Sequence, residues 1–295
     1  MTRRKIATFA ALFVGTAVLA GVVFAQRGGR GRNNQVEADE RNGVPLWEND
    51  DRFSRDVFTF VRVVYGSGGY DDYGGGYGRR GRRGRGGGGG WDTDWPDSDL
   101  NFSFRLQQLT ALKVNPSPVY LSLNDPQLFD YPFIYMIEPG RLHFSEDEVL
   151  ALRKYLLAGG FLMVDDFWGD DQWERFETEI KRVFPTRDLV ELPLDHEIFN
   201  IVYRLKEKPQ MPSINAARQG KPWGITWEDH GPGSETVHYR GIFDDKGRMM
   251  AIICHNTDLG DGWEEEGVDP WYFTEFAEKK AYPMGINIIV YAMTH

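Results

Sequence analysis

"SEDEVLALRKYLLAGGFLMVDDFWG" (residues 145–169) sets a helix directly against a strand, and the join decides the fold. Ser145 and Glu148 have the spacing of a capping box. Val149, Leu152 and Leu156 recur on one helical face, and Gly159 and Gly160 supply the stop. Phe161–Val164 then run apolar without alternation, as in a strand covered on both faces, before the chain breaks into Asp165 and Asp166. Such strands belong to parallel sheets, whose crossover helices provide the covers.

Working outward, the same alternation repeats. "DDQWERFETEIKRVFP" (170–185) is an amphipathic helix with Trp173, Phe176 and Ile180 inward and Pro185 beyond its end. "VFTFVRVVYG" (57–66), "PVYLSLND" (118–125) and "FIYMIEPG" (133–140) read as buried strands that end in turn residues. Between the first two, "PDSDLNFSFRLQQLTALKV" (96–114) offers Asp97 or Ser98 as a helix cap. "RGIFDDKGRMMAIICHN" (240–256) reads as a hairpin turning at Asp245, Lys246 and Gly247. "YPMGINIIVYAMTH" (282–295) is a helix too short to span a bilayer. The pattern predicts one α/β domain over 57–295, a three-layer sandwich with a mainly parallel sheet and an added hairpin.

The N-terminal region is of another kind. "MTRRKIATFAALFVGTAVLAGVVFAQ" has the layout of a secretory signal peptide over residues 1–25. Its apolar run, residues 6–24, is long enough to remain as a membrane tether if it is not cleaved. Residues 26–56 read as a flexible linker, and 67–90 as a disordered Gly/Arg-rich insert containing "GRRGRRGRGGGGG". The expected location is therefore outside the cytosol, in the periplasm or at the cell surface. Cys254 is the sole cysteine, so no intramolecular disulfide can form.

Charge argues against a nucleic-acid partner despite the arginine thread. Residues 91–295 carry 19 Lys+Arg against 35 Asp+Glu, a net of −16, and such a body repels a phosphate backbone. Expected partners are an envelope glycan or an envelope protein.

Ligands of open parallel sheets bind beyond the carboxyl ends of the strands. This points to Glu138, Asp165, Asp166 and His255 as catalytic candidates, with Asp165, Asp166 and His255 as candidate ligands of a divalent cation. Asp92, Asp94, Trp95, Trp168, Asn256 and Asp258 complete the expected ligand-binding rim. Structural alternatives stand beside these readings. Asp166 or Asp170 could cap the helix that follows, His255 could be a hydrogen-bonded structural histidine, and Cys254 a small buried hydrophobe. Seven tryptophans in expected loops could line a sugar-stacking surface or fill a core beneath those loops. No P-loop, G-x-G-x-x-G after a strand, G-x-S-x-G or H-E-x-x-H is present.

"WDTDWPDSDLNFSFRLQQLT", "DPQLFDYPFIYMIEPG", "GGFLMVDDFWG", "ELPLDHEIF", "HYRGIFDDKGRMM", "ICHNTDLGDGWE" and "KKAYPMGINIIVYAMTH", in that order, resemble the bacterial domain-of-unknown-function 4159 family over about residues 57–295. The resemblance implies a flavodoxin-like sandwich similar to class I glutamine amidotransferases. Those enzymes carry a nucleophilic cysteine on a strand-to-helix turn, and here the turn after "GGFLMV" carries Asp165 and Asp166. Glutaminase chemistry is not expected. The resulting expectation is an exported ligand- or partner-binding module on that scaffold. The alternative is a hydrolase of envelope glycans working by a cation or by acid/base carboxylates.

Overall fold

Five strands lie parallel in one sheet, and their order explains where a site can form. In a computed structural model of the protein, residue 36 and residues 40–50, 52, 56–67 and 90–295 are described. The elements are β1 (Val61–Val64), β2 (Gly66–Ser67), α1 (Asp97–Leu109), β3 (Val119–Ser122), β4 (Phe133–Ile137), β5 (Leu142–His143), α2 (Glu146–Leu157), β6 (Phe161–Asp165) and α3 (Gly169–Val183). They continue with β7 (Val190–Glu191), α4 (Ile214–Gly220), β8 (His238–Phe243), β9 (Met249–His255), α5 (Leu259–Glu264), α6 (Pro270–Tyr272), a π-helical stretch Phe273–Ala281 and α7 (Tyr282–Thr294). The seven-stranded sheet runs β3-β1-β4-β6-β9-β8-β7, and β2 pairs with β5 in a separate ribbon. This is a mixed α/β protein with a mostly parallel sheet. The expected hairpin forms from β8 and β9, closed by Asp244, whose Oδ1 accepts from Lys246 N and Arg248 N. Yet β9 also lies parallel against β6, so half of the hairpin belongs to the parallel run.

The uninterrupted apolar strands fill two cores because successive side chains point to opposite faces. Phe161 and Met163 join Phe102, Trp263 and Ile286 on the face covered by α1, α5 and α7. Leu162 and Val164 join Leu152, Leu156, Phe176 and Ile180 on the face covered by α2 and α3. Each fully buried side chain of this size is worth roughly 1.5–3 kcal/mol, so the sheet is the rigid part of the molecule.

Helix starts separate expectation from outcome. The capping box of α2 forms as expected, with Ser145 accepting from Glu148 N and Glu148 from Ser145 N, and Gly159 adopts φ +114° beyond its end. For α1, neither Asp97 nor Ser98 is the cap: the helix begins at Asp97 behind Pro96, and Ser98 Oγ turns inward to Arg62. For α3, neither Asp166 nor Asp170 caps by its side chain. Gly169 N is taken by Asn256 Oδ1, and Asp170 N by Pro232 O, so this helix start is tied to neighbouring loops.

Residues 40–50 fall within the stretch read as a linker, and they lie against the domain. Arg41 is buried and donates to Pro116 O, while Trp47 and Asn49 both donate to Val114 O. The signal-peptide segment 1–25 and nearly all of the Gly/Arg insert lie outside the described residues. Among the described residues no helix is long and apolar enough to cross a membrane.

Candidate functional site

At the carboxyl edge of the sheet the loops enclose a cavity of about 630 Å³. Seven acidic residues line it: Asp94, Glu138, Asp166, Asp171, Glu228, Asp258 and Asp261. Arg141, Arg175 and His230 are the basic residues of the lining, with Trp168 and Gln172 beside them.

Three neighbouring strands end in the same backbone turn. Glu138, Asp166 and Asn256, the first residues after β4, β6 and β9, adopt φ of 49°, 56° and 61°. Asp and Asn tolerate this left-handed region better than most residues, but Glu has no such preference. Each such residue stores on the order of 1–3 kcal/mol and persists only where its surroundings fix it. Here the turns hold one another: Glu138 N bonds Asp165 O, Asp166 N bonds Thr257 O, and Asn256 N bonds Phe167 O. Asp94, also left-handed at φ 60°, faces them from the loop before α1.

Asp165 sits beneath this floor, fully buried. Its Oδ2 accepts from Leu259 N at 2.9 Å, Gly260 N at 3.1 Å and Tyr135 Oη at 3.2 Å, which fixes the first turn of α5. Its Oδ1 has no partner among the described residues, and burial pushes its carboxyl up to about 7. The turn that Asp165 holds presents Asp261 and Glu264. With Asp94 they bring one ligand atom each to within 4.8 Å of one another. Asp94 Oδ2 is buried without a partner among the described residues, in space left by Gly260, where a Cβ would stand 2.9 Å away.

Burial, then mutual repulsion, raises this whole group. Asp261 is pushed up to about 8 and Glu264 to about 7. Asp94, Asp166 and Asp258 lie well above the ordinary carboxylate range, and Glu138 above it, for the same reason. Glu228 is the exception: hydrogen bonds from His230 and Ser213 outweigh its desolvation and lower it. Crowded buried carboxylates of this kind suit a hard cation with oxygen ligands, or an acid that keeps its proton near neutrality.

Asp94 owes its place to Arg62. This arginine, fully buried in β1, donates to Trp91 O at 3.1 Å, to Thr93 O, to Ser98 Oγ at 2.9 Å and to both oxygens of Asp99. One guanidinium thus ties the 91–99 loop to the sheet. Its sequence signal is the lone charge inside "VFTFVRVVYG".

The expected site residues separate into groups. Asp94, Glu138, Asp166, Trp168 and Asp258 line the cavity, and Asp165 supports it from below. Asn256 lies outside the lining as a buried stitch, donating to Gly233 O and Thr236 O. His255 also lies outside it, buried between Phe167 and Trp173 with Nε2 3.2 Å from Gly169 O; burial pushes it down to about 3 and keeps it neutral. Asp92 is exposed and absent from the lining, while Trp95 packs edge-on against Tyr120. Of the loop tryptophans, Trp168 and Trp263 are core, Trp223 is 80% exposed, and the others are half-buried. Asp261, Glu264, Glu228 and His230 are additions. The acid run "LGDGWEEEG" and the turn "WEDHGPG" were their available signals.

Fold and site together define an α/β protein with an acidic cavity at the carboxyl edge of its parallel strands. The chain belongs to the family described as Domain of unknown function (DUF4159), which matches residues 77–293. All the carboxylates named above fall within that match, whereas β1 and its Arg62 precede it. No curated protein matches the chain.

Proposed function

We propose that this chain is an exported cell-envelope domain that binds its ligand through a divalent cation held by Asp94, Asp261 and Glu264. The observation that carries this is the convergence of those three carboxylates, with Asp94 Oδ2 buried and without a partner among the described residues. Oxygen-only ligands favour Ca²⁺, Mg²⁺ or Mn²⁺ over Zn²⁺. The envelope assignment rests on the signal-peptide layout of residues 1–25, and the ligand proposed there is a glycan or a protein.

The scaffold we propose is flavodoxin-like and similar to that of class I glutamine amidotransferases. Supporting this, the five parallel strands, numbered along the chain, lie in the order 2-1-3-4-5. Cys254 is buried in the core with its thiol pushed up, and is no candidate nucleophile.

A second reading, an acid/base or cation-assisted hydrolase of envelope glycans, draws on one specific observation. Glu138 and Asp166 are both left-handed, raised, and open to the same cavity.

The test strips the protein of metals and follows its melting temperature as Ca²⁺, Mg²⁺, Mn²⁺ and Zn²⁺ are added. Binding to the folded state at a hundredfold excess over Kd stabilises by about 2.7 kcal/mol. A rise with a hard cation that Asp94→Asn and Asp261→Asn abolish supports the proposal; no rise with any cation refutes it. Glycan turnover lost in Glu138→Gln or Asp166→Asn, with melting unchanged, would favour the hydrolase.

A further inference from the structure

The mouth of the cavity differs in sign from its floor. Arg141 closes the short 3-10 turn after β4, and Arg175 lies on α3 one turn beyond Asp171; both are exposed, and both line the cavity. Neither makes a hydrogen bond or ion pair among the described residues. Carboxylates are not scarce, since residues 91–295 carry 35 of them against 19 bases. Several other arginines of the domain do find carboxylates, as in Arg105 with Glu266, Arg182 with Glu146 and Arg218 with Asp269. Asp171, spaced for an i,i+4 bridge to Arg175, forms none. Two guanidiniums are thus left unspent at the entrance of a cavity whose floor is carboxylate.

We infer that the cavity takes a ligand bearing a phosphoryl group, its oxygens shared between the cation on the floor and the guanidiniums of Arg141 and Arg175. This rests on the cation reading above. The floor cation and two forks present three positive groups, which a phosphoryl group answers with nearly two negative charges and three acceptor oxygens. A carboxylate, with one charge and two oxygens, leaves one of them unmatched. Loss of the two guanidinium contacts together should weaken phosphate binding tenfold or more.

The experiment titrates inorganic phosphate into the full chain with and without Mg²⁺, and repeats it with an Arg141→Ala, Arg175→Ala double variant. A separate Mg²⁺ titration of each protein reads the floor alone. Galacturonate serves as the carboxylate probe, and phosphatidylcholine vesicles doped with phosphatidic acid separate a lipid-borne phosphoryl group from a free one. Phosphate binding that needs Mg²⁺, exceeds galacturonate binding, and falls tenfold or more in the double variant is the expected result. Preference for the doped vesicles over inorganic phosphate would support the inference and assign the group to lipid. If Mg²⁺ binds but the double variant takes phosphate as well as the parent does, or galacturonate binds as tightly, the inference falls and the cation reading stands. If Mg²⁺ does not bind, the titrations are run with Ca²⁺ and Mn²⁺ in its place, and if none of the three binds, both fall.

Discussion

Asp94 and Asp99 flank the start of α1, and their oxygens meet opposite fates. Asp99 is fully buried and spends both carboxylate oxygens on Arg62. Asp94 turns an oxygen into the interior that meets no donor among the described residues, beside Asp261 and Glu264. A buried charge with its counter-charge is scaffolding, because removing one partner strands the other. A buried cluster of one sign is a different thing: its neighbours push its protons on, and a cation is what would relieve it.

The largest effect should come from breaking the paired side. Arg62→Met leaves Asp99 buried without its cation and frees the 91–99 loop, and should cost about 3–5 kcal/mol. Urea denaturation measures this; a loss below about 1 kcal/mol would mean that the pair is not structural. The same variant should also lose most of its melting response to cations, since Asp94 is no longer held.

His255 marks a third condition, a base kept neutral by burial between Phe167 and Trp173, outside the lining of the cavity. Its depression to about 3 gives a definite sign. The unfolded imidazole takes a proton below about 6.5 while the folded one does not, so this contribution is present above that pH and is lost as pH falls toward 3. Between pH 6.5 and 5 the loss should approach about 2 kcal/mol. His255→Gln should flatten that part of the stability profile relative to the parent, and identical slopes would show that His255 titrates normally.

Gly260→Ala probes the contact between α5 and Asp94. The new Cβ would come within 2.9 Å of Asp94 Oδ2 and 3.0 Å of Tyr135 Oη, so one of them must move. We expect a cost of roughly 1–3 kcal/mol and a weaker cation response. Unchanged calorimetric affinity would show that Asp94 is not a ligand. The smallest expected change is a gain: Asp94→Asn should stabilise the metal-free protein by on the order of 1 kcal/mol above neutral pH, by removing one crowded charge. Destabilisation instead would mean that Asp94 is held by contacts that need its charge.

The comparison also shows what the sequence could convey. Strands and helices were legible wherever the pattern was local: the capping box of α2, the apolar run of β6, the amphipathic face of α3. Glu138, Asp166 and Asp258 could be placed because strand ends are visible and the carboxyl edge of a parallel sheet is where loops converge. Asp92 and Asp94 could not be told apart, because the choice between them is made by Arg62 from another element. Glu228 and His230 arrive from a loop far along the chain, and Asp261 reaches the cavity, with Glu264 beside it, on the helix whose start Asp165 binds. His255 ends a strand as the candidate carboxylates do, but alternation turns it away from the face of Cys254 and between Phe167 and Trp173, outside the lining. The parallel pairing of β9 with β6 was hidden because a hairpin is a local signal, whereas a parallel partner is not.

The central claim, that Asp94, Asp261 and Glu264 hold a cation, is tested most directly by crystals of the protein soaked in Mn²⁺ and measured for anomalous scattering. The expected result is a peak bonded to oxygens of all three residues, absent from Asp261→Asn crystals. A peak elsewhere, or none at a concentration well above that needed for a melting shift, would contradict it.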